Sequence, residues 1–507
     1  MKRHTNLRDW EKELRAFPIH PNGIPKPLIR KVEERIAMET GVRHRVRNAW
    51  VGGLAIAMVL AAAFMLREPL LHMFKPVERV VKEETFDQTS ERHIKVQVFQ
   101  STAFMLQYGQ AYVVKYPNMT IEPTETIGLS APDGDVYKAY ADKMTNEQLD
   151  IVYLPTAVYK KMASEGLLYP LDAFIQKEKY NLNTFIPGVI DYLRERDTGQ
   201  LFGLSPTFNS QAIYYNKDLF NKYGVPFPTD RMTWEQLFEL AARFPTDGRG
   251  DNRVYGFSPP TSGASIMLNM IGSTNRLSMT DAEGKKLLLN SPAYRKSISL
   301  VAEGIRKGWL QQSARGTGSI TGIDMYKRNA FLTGNAAMAL SNSGLARDLA
   351  EGKRRYNLST FEWDMVTEPV SGEQPNLSTS FSLDGVYAIN AKANNPRDAW
   401  ELLKVIHSKT IAQKNVASML VMQPSTIDGV PILPKEARRE AFSALQIGTE
   451  ATADTAAPYS FSAEINAIVN QEIQTYAQGA QSLEQTLQTL QDKGQQALDK
   501  ANLLQQK

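Results

Sequence analysis

From about residue 95 onward, apolar positions fall into short alternating and helical runs that follow one another along the chain. KVQVF at Lys95 to Phe99 alternates with period two and predicts a strand, Ala103 to Tyr116 predicts a helix, and MTIEPTET predicts a second strand. The helical run DVYKAYADKMTN and the apolar strand LDIVYL at Leu149 to Leu154 come next. Further on, Ala212 to Asn216 reads as a strand, and Thr233 caps a helix whose inward face carries Trp234, Leu237, Phe238 and Ala241. Strands alternating with helices predict an α/β sheet. Near the C-terminus, Ile465, Ile468, Val469, Ile473 and Tyr476, then Leu483, Leu487 and Leu490, recur at three and four residues with a break near Gly479. Their heptad register is too short for a coiled coil, so these helices are expected to pack on the body.

The N-terminal part follows a different pattern. Ala49 to Leu66 reads AWVGGLAIAMVLAAAFML, without a charge, and as a helix it spans ~27 Å. Arg43, Arg45 and Arg47 precede it, and Trp50 sits at its edge. The positive-inside rule therefore places residues 1–48 in the cytoplasm and the large domain outside, in the cell membrane as a single-pass protein. Residues 1–48 make an n-region too long for a cleavable signal, and Ala61 to Ala63 lie inside the apolar run, so a retained anchor in the lipid bilayer is expected. The tail has a Pro-rich break at Pro18 to Pro27 and a short amphipathic helix bearing Leu28, Val32 and Ile36. Residues 67–94 read as a juxtamembrane linker.

Charge divides along the same boundary. Residues 1–48 hold 12 Lys and Arg against 6 Asp and Glu, whereas residues 95–507 hold 41 against 42. The basic excess belongs to the tail, and the body lacks the footprint of a phosphate-backbone binder. Nucleic acid is not an expected partner.

Catalytic chemistry finds little to work with. There is no cysteine, and of the histidines His4, His20, His44, His72, His93 and His407 only the last falls inside the main domain. Neither a Ser/His/Asp triad nor a two-histidine metal motif can be assembled there. TDGRGDN at Thr246 to Asn252 resembles a shortened calcium loop, but Arg249 occupies a ligand position and no bidentate Glu follows, so a polar turn is expected. DAEGKK at Asp281 to Lys286 reads as a hairpin or loop. No catalytic residue, metal or cofactor is expected.

Four segments in order resemble the type 1 extracellular solute-binding family of ABC importers, the maltose-binding-protein-like group. They are Leu149 to Ile175 with its Gly166 to Leu171 turn, Gly199 to Leu237 with Tyr-Asn-Lys-Asp at Tyr215 to Asp218 and Thr-Trp-Glu at Thr233 to Glu235, Ala330 to Leu340, and Leu383 to Ser408. The resemblance implies an α/β, two-lobed periplasmic-binding-protein-like fold with a hinge, here preceded by one transmembrane helix. The first lobe would comprise about residues 95–211 and 369–408, the second 212–368 and 409–507, with crossings near Gln211, Glu368 and Ser408. A solute, by the family's habit a mono- or oligosaccharide, would lie in the interlobe cleft, and the closed form would be recognised by ABC permease subunits. An anchored sensor signalling through the tail is the alternative.

Sugar sites combine aromatic platforms with a few polar side chains. The resemblance therefore points to Gln100, Ser101, Thr102 and Thr156 after first-lobe strands, and to Asn209 before the first crossing. Asn342 or Ser343 and Asp384 would complete the polar set. Tyr153, Tyr214, Trp363 and Tyr459 are the candidate stacking residues. Two departures weaken a maltodextrin-type platform: SNSGL at Ser341 to Leu345 replaces the common Gly-x-Trp, and LPTAV at Leu154 to Val158 carries no acidic residue.

Overall fold

A computed structural model describes Phe86, Asp87 and residues 89–505, apart from 128, 130–134, 187, 251–252, 262, 313–321, 359, 418–422, 427–436 and 449–457. The tail, the apolar run Ala49 to Leu66, the helix bearing Leu28, and Asp251 of the polar turn lie outside the described residues. Among the described residues no helix is long and apolar enough to cross a membrane.

The first sheet has strand order β2-β1-β3-β12-β4, with β1 at Arg92–Val98, β2 at Met119–Glu125, β3 at Ile151–Leu154, β4 at Gly203–Leu204 and β12 at Val386–Ile389. β1, β2 and β3 run parallel, while β12 returns antiparallel between β3 and β4. Ile94, Val96 and Val98 are fully buried, as a strand covered by helices requires. The helix Pro396–Ile406 lies on this sheet; Pro396 presets its first turn, and Trp400 is buried with its ring 5.7 Å from Phe174.

The second sheet has order β7-β8-β6-β9, with β6 at Ala212–Asn216, β7 at Tyr255–Ser258, β8 at Ala336–Ser341 and β9 at Trp363–Thr367. Alternation along β6 feeds two cores. Ile213 and Tyr215 face one built with Trp234, Leu237 and Phe238, and Ala212 and Tyr214 face another containing Phe331, Leu345 and Phe442. Thr233 forms a reciprocal capping box with Gln236 at the start of the helix Trp234–Ala241. That helix lies so close to β7 that a Cβ on Gly256 would fall 2.0 Å from the Ala241 carbonyl oxygen, so no larger residue fits there. The helices Tyr459–Ala477 and Leu483–Gln505 flank Gly479 and bury Ile465, Val469, Ile473, Leu487 and Leu490 in the first of these cores. The Asp281 to Lys286 run is a hairpin-like turn, in which the Asp281 carboxylate accepts the Lys285 and Lys286 amides.

Where the chain passes from one sheet to the other it forms a three-stranded sheet of order β11-β5-β13, made of Ser382–Leu383, Thr207–Asn209 and Gln423–Pro424, with β5 following β4 and preceding β6 and β11 following β9 and preceding β12. A pair of short strands, β10 at Leu377–Ser378 and β14 at Gln446–Ile447, lies beside the returning chain.

Two expected boundaries move. The end of the expected linker already belongs to the fold, because Arg92 opens β1, donates from Nη1 to both carboxylate oxygens of the buried Asp398 at 2.6 and 2.7 Å, and lies over the Phe86 ring. The expected return to the second lobe at Ser408 also comes later. Lys414 in the helix Lys409–Ala417 donates to the Leu106 carbonyl at 2.6 Å, and Ser425 exchanges backbone bonds with Pro206 and Ile186. Ala437 and Phe442 instead join the second-lobe core. An amphipathic helix shows which face is buried but not which lobe buries it.

Candidate functional site

Parallel strands direct their following loops to one edge of a sheet, and ligands of open α/β sheets collect at that edge. Gln100 lies after β1 in extended conformation, exposed and without a capping bond, and Thr102 is exposed beside it. Ser101 is half-buried, and its amide donates to Glu125 at the end of β2 over 2.9 Å. Thr156 is half-buried at the start of the helix Thr156–Ser164, behind Pro155. The helix after Gln100 contains a π turn at Met105–Gly109, a local widening often found at functional positions.

The strongest convergence is at β3 and β12. Tyr153, half-buried, donates its phenol to the Asp384 carboxylate. Its ring lies 4.8 Å from that of Tyr387, which in turn lies 6.0 Å from Phe104 and from Tyr108. Gly385 makes this possible, because a Cβ there would fall 2.3 Å from the Tyr153 ring. Although Asp384 is exposed at its outer edge, desolvation on its inner side raises its carboxyl above the ordinary range, against the lowering effect of the Tyr153 hydrogen bond. Burial first, then the Asp384 charge, pushes the Tyr153 phenol upward. Tyr108 is buried and hydrogen-bonds Asn415.

Tyr153 and Asp384 are among the residues expected from the sequence, whereas Tyr108, Tyr387 and Asn415, which the fold places in the same cluster, are not. Tyr387 lies two positions beyond Gly385 in the strand that returns beside β3, a signal the sequence did carry. Asn209 closes β5, half-buried, opposite Ser382.

The second-lobe candidates are arranged differently. Asn342 uses its carbonyl to accept the Tyr214 phenol at 2.9 Å and its Oδ1 to accept the Gly344 amide at 3.0 Å. Ser343 is buried at the start of the helix Gly344–Tyr356. Tyr214 is a correction: it is 0 % exposed, enclosed by Trp363, Phe331 and Phe442, and offers no ring face to a solute. Its alternation with Ile213 and Tyr215 places it in the second core rather than at an edge. Trp363 is half-buried on β9 and leans on Tyr214. Tyr459 opens a helix, and its side chain lies outside the described residues. Among the described residues no group of three or more His, Asp or Glu could hold a metal ion.

Two α/β lobes joined by several chain passages, with polar and aromatic side chains at the strand ends, define the architecture of a solute-binding protein. A family model described as bacterial extracellular solute-binding protein matches residues 102–412, and the chain belongs to that family. An sn-glycerol-3-phosphate-binding periplasmic protein of Rhizobium meliloti is 26% identical over 204 residues, covering 39% of this chain and 45% of that protein. A namesake in Escherichia coli K12 is 27% identical over 213 residues, 40% of this chain and 45% of its own. The chain thus spans about half the length of these curated relatives. Among solved structures, an extracellular solute-binding protein family 1 member from Alicyclobacillus acidocaldarius superposes with a TM-score of 0.56 at 15% identity, covering 81% of this chain and 100% of the other. UspC of M. tuberculosis gives 0.51 at 18% identity, with 80% and 100% covered. At these identities the structures speak for the fold.

Proposed function

We propose that the protein is the membrane-anchored, extracytoplasmic substrate-binding component of an ABC importer, taking a mono- or oligosaccharide between its lobes and presenting the closed form to permease subunits. Residues 49–66 would supply the anchor. The observation that carries the solute class is the Tyr153, Asp384 and Tyr387 group. A carboxylate held by the phenol of the half-buried Tyr153 can accept sugar hydroxyls while the open part of that ring, backed by the buried Tyr387, meets the apolar face of a pyranose.

The names of the curated relatives favour a second reading, a glycerol phosphoester. Against it stands the charge of Asp384, which opposes a phosphate at the same place.

A thermal-shift screen separates the two readings. The full-length protein, and a chain beginning at Glu83 so that Arg92 stays in β1, are screened against mono- and oligosaccharides, sn-glycerol-3-phosphate and short peptides. At 100 times its dissociation constant a ligand adds ~2.7 kcal/mol, enough to move the melting temperature by several degrees. A shift with a sugar supports the reading. A shift confined to the phosphoester or to peptides overturns it.

A further inference from the structure

Where the chain leaves the second sheet after β9, one carboxylate holds two passages between the lobes together. Glu368 is 4 % exposed and follows Thr367, the last residue of β9. Its Oε1 accepts the amides of Thr379 and Ser380 at 3.1 and 3.3 Å and the hydroxyl of Ser378. The Ser380 hydroxyl also donates to the carboxylate. Ser380 Oγ in turn accepts the amide of Gln211 at 2.8 Å, between β5 and β6 on the first passage. Ser378 Oγ accepts the Phe381 amide, and the Phe381 ring stacks on Phe208 of β5 at 5.4 Å with 19° between planes. Four donors therefore converge on one buried carboxylate, and one of them passes the connection on to the other passage.

Burying a carboxylate is costly, and hydroxyls and amides without a cation offset that cost only when their geometry is fixed. A loop could be capped by a neutral side chain at lower cost. The arrangement has a consequence a cap would not have: the direction of residues 378–381 and of Gln211 cannot change independently. We propose that Glu368 is a positioning residue of the hinge, setting the angle at which the first two passages enter the second lobe and thereby the balance between open and closed forms. Apparent solute affinity scales with the fraction of molecules able to close, so the residue tunes binding without touching solute. The inference rests on the two-lobed fold and not on the identity of the solute.

The chain has no cysteine, so Asn146→Cys in the first lobe and Arg306→Cys in the second, both exposed, provide unique spin-label sites. Inter-lobe distances are measured on the solute-free, full-length protein in detergent, together with hydrogen exchange at Gln211. Glu368→Ala is expected to widen the distance distribution about twofold and to speed exchange of the Gln211 amide about tenfold. Glu368→Gln keeps an acceptor for the Thr379 and Ser380 amides and is expected to restore both. Wild-type distances and exchange in Glu368→Ala would overturn the proposal, as would a Glu368→Gln protein as loose as the alanine variant. Should Glu368→Ala fail to fold, Ser380→Ala removes the acceptor of the Gln211 amide together with one hydroxyl donor to Glu368, and leaves the Ser378 hydroxyl and the Thr379 and Ser380 amides on the carboxylate. It is expected to free the Gln211 amide while Thr379 stays protected, and unchanged exchange at Gln211 would overturn the proposal equally.

Discussion

Tyr153 and Tyr214 are both strand tyrosines whose hydroxyls have partners, yet the two lobes use them in opposite ways. In the first lobe Tyr153 is half-buried and its phenol meets the side chain of Asp384, a group with further lone pairs to offer. In the second, Tyr214 is fully enclosed and its phenol is spent on the Asn342 carbonyl. One lobe keeps polar capacity at its surface, and the other has consumed it in its own packing. Direct solute recognition is therefore expected to fall mainly on the first lobe, with the second closing over it.

The largest expected effect tests that division. Tyr214→Ala empties a site walled by Trp363, Phe331 and Phe442 and is expected to cost about 3–5 kcal/mol of stability, read by denaturant unfolding. Tyr153→Ala should destabilise much less and instead weaken binding of whichever sugar the thermal screen identifies. Equal losses of stability for the two would erase the contrast.

pH divides the lobes as well. His407, at the end of the helix Pro396–Ile406, is buried, and desolvation lowers its pKa from 6.5 to about 4, against the raising effect of the Leu403 and Leu204 backbone. A lowered folded-state value means that above pH 6.5 the stabilising contribution is fully present. As pH falls from 6.5 through about 4, the unfolded chain takes up a proton that the folded one refuses, and up to about 3 kcal/mol is lost. The second sheet and its helices contain no histidine, so this loss belongs to the first lobe. His407→Gln should flatten the stability profile between pH 6.5 and 4, and an unchanged slope in urea titrations would refute the assignment.

A smaller pair of changes compares polar groups. Asp384→Ala is expected to weaken sugar binding by roughly 1–3 kcal/mol, measured by calorimetry, with the unliganded melting temperature nearly unchanged. Asn342→Ala should show the reverse, losing about 1 kcal/mol of stability because the Gly344 amide loses its cap, with little change in affinity.

How much of this was legible follows from how local each cause is. The Thr233 capping box, the inward face of Trp234, Leu237 and Phe238, and the strand Ala212–Asn216 depend on neighbours a few residues away, and their periodicity announced them. Arg92 reads as linker in the sequence because its partner Asp398 lies 306 positions further on. The π turn at Met105–Gly109 reads as ordinary helix in the sequence because one inserted residue hardly disturbs a short apolar pattern. Tyr153 and Tyr214 could not be told apart, since each sits in an apolar strand and only tertiary packing decides whether a ring is enclosed. Asn415 reached Tyr108 through a helix whose lobe the sequence did not reveal.

The finest test removes only the two hydroxyls. In Tyr214→Phe the ring still fills its place, but the Asn342 carbonyl loses its donor inside the protein, at a cost of about 1 kcal/mol of stability. Solute affinity should stay at the wild-type value. In Tyr153→Phe the lost donor is one that lowers the Asp384 pKa, while the desolvation that raises it remains. The Asp384 carboxyl should therefore titrate at higher pH than in the wild type, visible as an upward shift of its carboxyl carbon resonance midpoint. A neutral carboxyl is a weaker acceptor for solute hydroxyls, so affinity in this variant should begin to fall at a higher pH as the solution is acidified. If the Asp384 midpoint does not move, the phenol does not hold the carboxylate in solution, and the first-lobe half of the comparison fails at the bond on which it rests.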